Sequence, residues 1–213
     1  MEQKKAKGPF IAFEGIDGSG KSTQVKRLRH RLQEMGIVFY ETMEPTDSPV
    51  GSVINQIMTG RLQTDNKVIA ALFVADRLDH ILNSINGIAS KVDDGIAVIT
   101  DRYYFSSYAY NSIDMPLDWV IQANEPARRL LQPDIHIFID TPIDTVLERI
   151  AKRHFRQELF EKEARLIQVR EKYLEAFARF QDEENIVIID GSQTIEQMEA
   201  EIWSHLQSLF PIV

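Results

Sequence analysis

No cysteine occurs in the 213 residues, which excludes disulfides, thiolate metal sites and cysteine nucleophiles together. Positive charge is not in excess either. Twenty-four Lys and Arg against 32 Asp and Glu give a formal net charge of −8, which argues against a surface built for nucleic-acid backbones or anionic membranes. An anionic ligand must then be held by local cations and backbone N–H groups. Long apolar runs are also missing. The first nine residues are lysine-rich, and the apolar stretch after them is five residues long, so neither a signal peptide nor a membrane span is expected and a cytoplasmic location is. No internal repeat or low-complexity linker divides the chain. With 44% hydrophobic content, one domain with a substantial core is expected over residues 1–213, its first nine residues a flexible tail.

Five short runs rich in β-branched or aromatic residues are present at 10–14, 38–42, 96–100, 135–140 and 186–190. Each is nearly continuous in apolar character, the mark of a strand covered on both faces, and the stretches between them are long and helix-like. Together these features predict a parallel α/β sheet. A helix is predicted over 21–35, stopped by Gly36, another over 116–131 ahead of Pro133, and a third over 194–209, opened by Thr194 and Gln197 in capping-box spacing. The charge-rich stretch from Glu148 to Arg179 reads as a solvated helical face carrying i,i+4 pairs.

The first predicted strand runs into Gly15-Ile16-Asp17-Gly18-Ser19-Gly20-Lys21-Ser22, followed by Thr23 and a helix. This is the G-x-x-x-x-G-K-[ST] pattern in its required strand-to-helix setting. Glycines let the backbone curl so that successive N–H groups face a phosphate, and the helix N-terminus adds a favourable field. Lys21 is expected to reach the β- and γ-phosphates of a nucleotide from an exposed position, and the Ser22 hydroxyl to ligate Mg²⁺. A phosphate loop alone does not separate kinases from GTPases or ATPases. The chain has no Asn-Lys-x-Asp segment of the guanine-reading kind and no long insertion, which favours a small kinase.

After the third strand comes Asp101-Arg102-Tyr103, at the carboxyl end where open α/β sheets bind ligands. Asp101 is expected to orient Mg²⁺, and Arg102 to offer a planar fork to a phosphate. Ser106, Ser107, Tyr110 and Asn111 follow as a polar cluster suited to a base or sugar. Phe73 and Arg77 stand four apart on one helical face, an arrangement that fits a nucleobase clamp. Read without further context, Phe73 fits a core position better than a clamp.

The ordered set of motifs resembles the thymidylate kinases over essentially the whole chain from Phe10 to Phe210: Phe13 to Thr23, Glu44-Pro45, Leu72-Phe73 with Arg77, Asp101-Arg102-Tyr103 with Ser106, Ala109 and Tyr110, then Pro133-Asp134, Glu148-Arg149, Val169-Arg170 and Tyr173-Leu174. The resemblance implies a three-layer α/β/α P-loop kinase fold with a five-stranded parallel sheet, a helical lid near 150–161, and a homodimer. It implies Mg²⁺ with ATP as phosphoryl donor and dTMP as acceptor. By position, it also implies that Asp17 accepts from the deoxyribose 3′-OH, Phe73 stacks on thymine, Arg77 reads the base and Arg102 meets the acceptor phosphate. Ser107 would contact the pyrimidine edge and Tyr110 would block a 2′-hydroxyl, with Glu44 and Ser106 in the same site.

Two departures stand out. Family members often carry arginine where this chain has Met43, which removes a phosphate ligand. Some carry an arginine inside the phosphate loop where this chain has Gly18, so transition-state charge is expected from the lid, from Arg153 first and Arg156 second, with Arg149 mattering less. Two other readings stay open: a kinase of another nucleoside monophosphate or of a deoxynucleoside, and a nucleotide-binding regulatory module without turnover.

Overall fold

The computed structural model of the chain describes residues 6–151 and 159–210. Among these, β1 (Phe10–Glu14), β2 (Phe39–Met43), β3 (Ala97–Asp101), β4 (Ile135–Asp140) and β5 (Ile186–Asp190) form one sheet in the order β2-β3-β1-β4-β5, every neighbouring pair parallel. The connecting helices are α1 (Lys21–Glu34), α2 (Pro49–Met58), α3 (Asn66–Leu82), α4 (Ile88–Asp93), α5 (Tyr104–Asn111), α6 (Leu117–Leu130), α7 (Ile143–Ala151), α8 (Leu159–Phe180) and α9 (Ile195–Leu206).

Successive strand residues point to opposite faces, and in β1 both faces are apolar. Ile11 and Phe13 pack with Val25, Leu28 and Leu32 of α1 and with Met198, Ile202 and Leu206 of α9. Phe10 and Ala12 pack on the other face with Tyr104, Phe105 and Tyr108 of α5 and with Val169, Tyr173 and Phe177 of α8. The result is the α/β/α layering expected from the sequence. α5 and α8 are joined by edge-on rings, Phe105 against Phe177 with centroids 4.9 Å apart, a contact that adds directional preference to apolar burial.

The predicted element bounds shift in small ways. β2 and β3 each lie one residue later than the apolar runs, because the ladder continues to pair Met43 with Asp101 at the polar edge. α6 is trimmed by one residue at each end. α9 stops at Leu206 and is followed by a 3-10 turn over Gln207–Leu209. The capping box is present as read: Thr194 Oγ1 accepts from the Gln197 N–H and the Gln197 side chain accepts from the Thr194 N–H. Parallel pairing also aligns the strand ends, with Glu14, Met43, Asp101, Asp140 and Asp190 all at carboxyl termini.

Candidate active site

The loop between β1 and α1 has left-handed backbone at Gly15, Gly18 and Gly20. At Gly15 a side chain is also excluded by space, since a Cβ there would lie 2.9 Å from the Ile139 carbonyl. A Cβ on Gly18 would meet Val146 and Ile150 of α7 at 3.2 and 3.3 Å. Helix α7 thus packs close on the loop, and any side chain at position 18 would strain the left-handed backbone there and push these two side chains back by a few tenths of an ångström. α1 starts from Gly20 with no side-chain cap, so its first N–H groups and its positive dipole end face the cleft.

Lys21 is not exposed as the sequence suggested. It is buried, because its Nζ folds back to donate to the carbonyls of Gly15 at 2.9 Å and Ile16 at 3.2 Å. Burial, reinforced by the Arg102 charge and only partly opposed by Asp101 and Asp17, pulls its pKa down to about 8. A cation so destabilised gains from an arriving anion. Beside it, Ser22 Oγ donates to Asp101 Oδ2 at 3.0 Å, while Asp101 Oδ1 is buried with no partner among the described residues.

Arg102 has φ +76, the one non-glycine in the left-handed region among the described residues, a conformation that costs about 1 kcal/mol or more. It is over-determined by its neighbours: the Arg102 N–H donates to the Phe13 carbonyl at 2.8 Å, and its carbonyl accepts from Thr100 Oγ1 at 2.9 Å. The bend swings the guanidinium across the phosphate loop. Nη1 donates to the Gly15 carbonyl, Ser106 Oγ and Tyr173 OH, and Nη2 to Asp17 Oδ1 at 2.6 Å and Tyr110 OH at 3.2 Å. Nε takes no protein acceptor among the described residues.

Two clefts open at this edge of the sheet. One is lined by Asp17, Gly18, Gly20, Lys21, Ser22, Thr23, Asp101 and Arg102, with Met43 and Arg149. Of the residues expected around ATP, only Gly15 and Ser19 stand outside that lining. The other cleft brings together Asp17, Glu44, Phe73, Arg77, Arg102, Ser106, Ser107 and Tyr110, every residue expected at the acceptor. Asp17, Glu44 and Arg102 line both. Phe73 belongs to neither core cluster, is half-buried and lines the cleft.

Arg77 is more deeply committed than the sequence implied. It is 1% exposed, and each of its five N–H groups meets a protein acceptor: Nε and Nη2 on Glu44 Oε2 at 2.8 and 2.6 Å, Nη2 again on the Tyr103 carbonyl, and Nη1 on Ser107 Oγ at 3.1 Å and on Asn124 Oδ1. The other Glu44 oxygen meets His80 Nδ1, whose Nε2 meets Thr42 Oγ1. Asn124, His80 and Thr42 went unread as site support because their contacts cross 36 to 47 residues of sequence. The cleft also contains Asn111, with an Nδ2 that is buried and unpartnered among the described residues, and Arg165 of α8, 3.4 Å from Asp114.

Arg149, expected to matter less than Arg153 and Arg156, lies on the phosphate loop. Its Nη1 donates to the Ser19 carbonyl at 3.0 Å and the Gly18 carbonyl at 3.3 Å, and its Nη2 to the Gly191 carbonyl at 3.4 Å. Arg153 and Arg156 fall outside the described residues.

A family model described as thymidylate kinase matches residues 13–202. The chain belongs to the thymidylate kinase family. It is therefore an ATP-dependent nucleoside monophosphate kinase. Relatives named probable thymidylate kinase include one from Methanocaldococcus jannaschii, 36% identical over 94% of this chain and 96% of its own length. Another from Pyrococcus horikoshii is 36% identical over 92% of this chain and 94% of its own. A third, from Caldivirga maquilingensis, is 36% identical over 89% and 88%. The resemblance read from the motifs and the family match therefore agree, and they do so over nearly the full length.

Proposed function

We propose that the chain transfers the γ-phosphoryl group of Mg·ATP to dTMP, giving dTDP and ADP, a step toward dTTP. The observation that supports this reading best is the junction of the two clefts at Asp17, Glu44 and Arg102, where a donor phosphate and an acceptor phosphate would meet in line. An oxygen of the dTMP phosphate attacks the γ-phosphorus, and the bond to the β–γ bridging oxygen breaks, its electrons leaving on ADP. The acceptor oxygen is already ionised at neutral pH, so no general base is required. Positioning and charge neutralisation supply the catalysis.

Each side chain has a part in this account. Lys21 neutralises the β- and γ-phosphates, Arg102 turns its Nε, which takes no protein acceptor among the described residues, to the acceptor phosphate, and Asp17 holds the sugar 3′-OH. Phe73 stacks on thymine and Tyr110 bars a 2′-hydroxyl. Arg77 reads the pyrimidine by exchanging its contact with Ser107, the partner whose hydroxyl turns most freely. Ser22 and Asp101 fit a divalent cation: both are hard oxygen donors, and the orphaned Asp101 Oδ1 is an acceptor awaiting a partner. Bound there, Mg²⁺ would supply charge neutralisation on the donor phosphates. Transition-state charge is assigned to Arg153, with Arg156 assisting. The homodimer and the cytoplasmic location belong to the same proposal.

Phe73→Ala is expected to weaken dTMP binding by roughly 1–3 kcal/mol through lost base stacking, with ATP binding unchanged; titration calorimetry with each ligand checks this, and an equal loss for both would make Phe73 a packing residue. Arg149→Ala is expected to act mainly on the KM for ATP, because its hydrogen bonds among the described residues are to backbone carbonyls that shape the loop before reaction. Initial-rate measurements that show a fall in kcat with an unchanged KM would contradict that role. The proposal as a whole is tested by incubating the protein with Mg·ATP and dTMP: stoichiometric dTDP and ADP support it, and ADP without dTDP, or no ADP, overturns it.

A further inference from the structure

Glu14, the last residue of β1, is completely buried. A carboxylate in such a place is costly unless its lone pairs are matched, and among the described residues it forms no direct ion pair. Its partners are neutral donors. Oε1 accepts from the Tyr103 N–H at 2.9 Å, and Oε2 accepts from Ser106 Oγ at 2.6 Å and from Tyr173 OH at 3.0 Å. The same two hydroxyl oxygens accept from Arg102 Nη1 at 3.1 and 3.3 Å. The hydroxyls are themselves 2.8 Å apart, so either proton has a choice of acceptor.

Burial pushes the Glu14 carboxyl above the usual carboxylate range, while the Ser106 hydroxyl, the Arg102 charge and the Tyr103 N–H work the other way by favouring the ionised form; in that form the carboxylate decides the choice. A carboxylate has no proton to give and is the strongest acceptor of the three groups, so both hydroxyl protons point to Glu14 and both remaining lone-pair faces turn to Arg102. Nη1 is thereby fixed between Ser106, Tyr173 and the Gly15 carbonyl; with Nη2 held on Asp17 and Tyr110, Nε is the donor of the same rigid plane left without a protein acceptor among the described residues.

We propose that Glu14 is a positioning residue for Arg102, setting the polarity of the Ser106 and Tyr173 hydroxyls so that the guanidinium is pre-aimed at the acceptor phosphate. This rests on the assignment of Arg102 to that phosphate. A plainer role, holding the Tyr103 N–H at the start of α5, would make Glu14 a structural residue with no preference between ligands. The two roles predict different things. In Glu14→Gln the amide NH₂ donates, at least one hydroxyl must reverse its proton, and Arg102 loses an acceptor while the volume of the site stays the same.

The test measures dTMP and thymidine binding by calorimetry, since the two ligands differ only in the phosphate. Wild-type protein is compared with Arg102→Ala, Glu14→Gln and Tyr173→Phe. Arg102→Ala should abolish the preference for dTMP; if the preference survives, the assignment of Arg102 to the phosphate is wrong. Given that loss, Glu14→Gln should reduce dTMP affinity about tenfold, the scale of one impaired hydrogen bond to a charged group, with thymidine affinity unchanged. Tyr173→Phe should shift the ratio in the same direction by a smaller factor, and it keeps the test alive if Glu14→Gln fails to fold. A dTMP-to-thymidine ratio as in wild type, in whichever of the two variants folds, or an equal loss for both ligands, would overturn the inference.

Discussion

Replacing Lys21 with alanine is expected to reduce turnover by about 10³-fold or more, because phosphoryl transfer relies on fixed charge at the migrating group rather than on covalent help. The variant also strands the Gly15 and Ile16 carbonyls that Nζ now engages, so circular dichroism and ATP binding should be measured beside the rate. Lys21→Met keeps most of the stem and tests the charge alone. A dependence on pH follows from the same burial. With the free-protein pKa depressed from 10.5 to about 8, kcat/KM for ATP should fall as pH rises through 8. Stability should move the other way: between those two values the unfolded chain binds more protons than the folded one, so raising the pH there favours the fold. A thermal midpoint that falls over this window together with kcat/KM would point to some other titrating group.

Arg102→Ala is expected to lower kcat/KM for dTMP by about 10²-fold or more, the scale for losing a pre-aimed charge in a dry site. The left-handed backbone at Arg102 makes the prediction more specific. Alanine there keeps the conformational cost and loses the guanidinium that bridges Gly15, Asp17, Ser106 and Tyr110, so the loss should exceed that of Arg102→Lys, which retains charge but not the fork. Initial-rate kinetics on both variants decide this. Equal losses for alanine and lysine would show that planar geometry matters and charge alone does not suffice; equal retention would remove Arg102 from the site.

Much of the frame was legible in the sequence because it is local. Apolar runs gave the five strands, the glycine-rich octapeptide gave the loop and the Thr194–Gln197 spacing gave a helix start. β2 and β3 ran one residue past the prediction because the ladder extends into polar positions that pattern alone reads as loop. The residues named for the acceptor also gather in one cleft, since Asp17, Phe73, Arg77 and Tyr110 sit on elements whose order the parallel sheet dictates. What escaped the sequence depends on contacts across long separations. Lys21 folds back into its own loop, Arg149 of α7 reaches across to Ser19 and Gly191, and Arg77 spends every donor on protein partners as distant as Asn124. Glu14 stood in plain view within Phe-Glu-Gly, but its tie to Tyr173 spans 159 residues and leaves no local signal. Pairing across such distances becomes visible only once the layers are stacked.

The most direct test of acceptor identity is kcat/KM with saturating Mg·ATP across dTMP, dUMP, dCMP, dAMP, dGMP, UMP and thymidine. If Phe73 stacks on the base, Arg77 and Ser107 read it and Tyr110 lies beside the sugar, as proposed, dTMP is expected to be the best acceptor, dUMP behind it, the ribonucleotide UMP weaker still, with no transfer to thymidine. A purine or cytosine monophosphate preferred over dTMP, or binding of dTMP and ATP without transfer, would contradict the account.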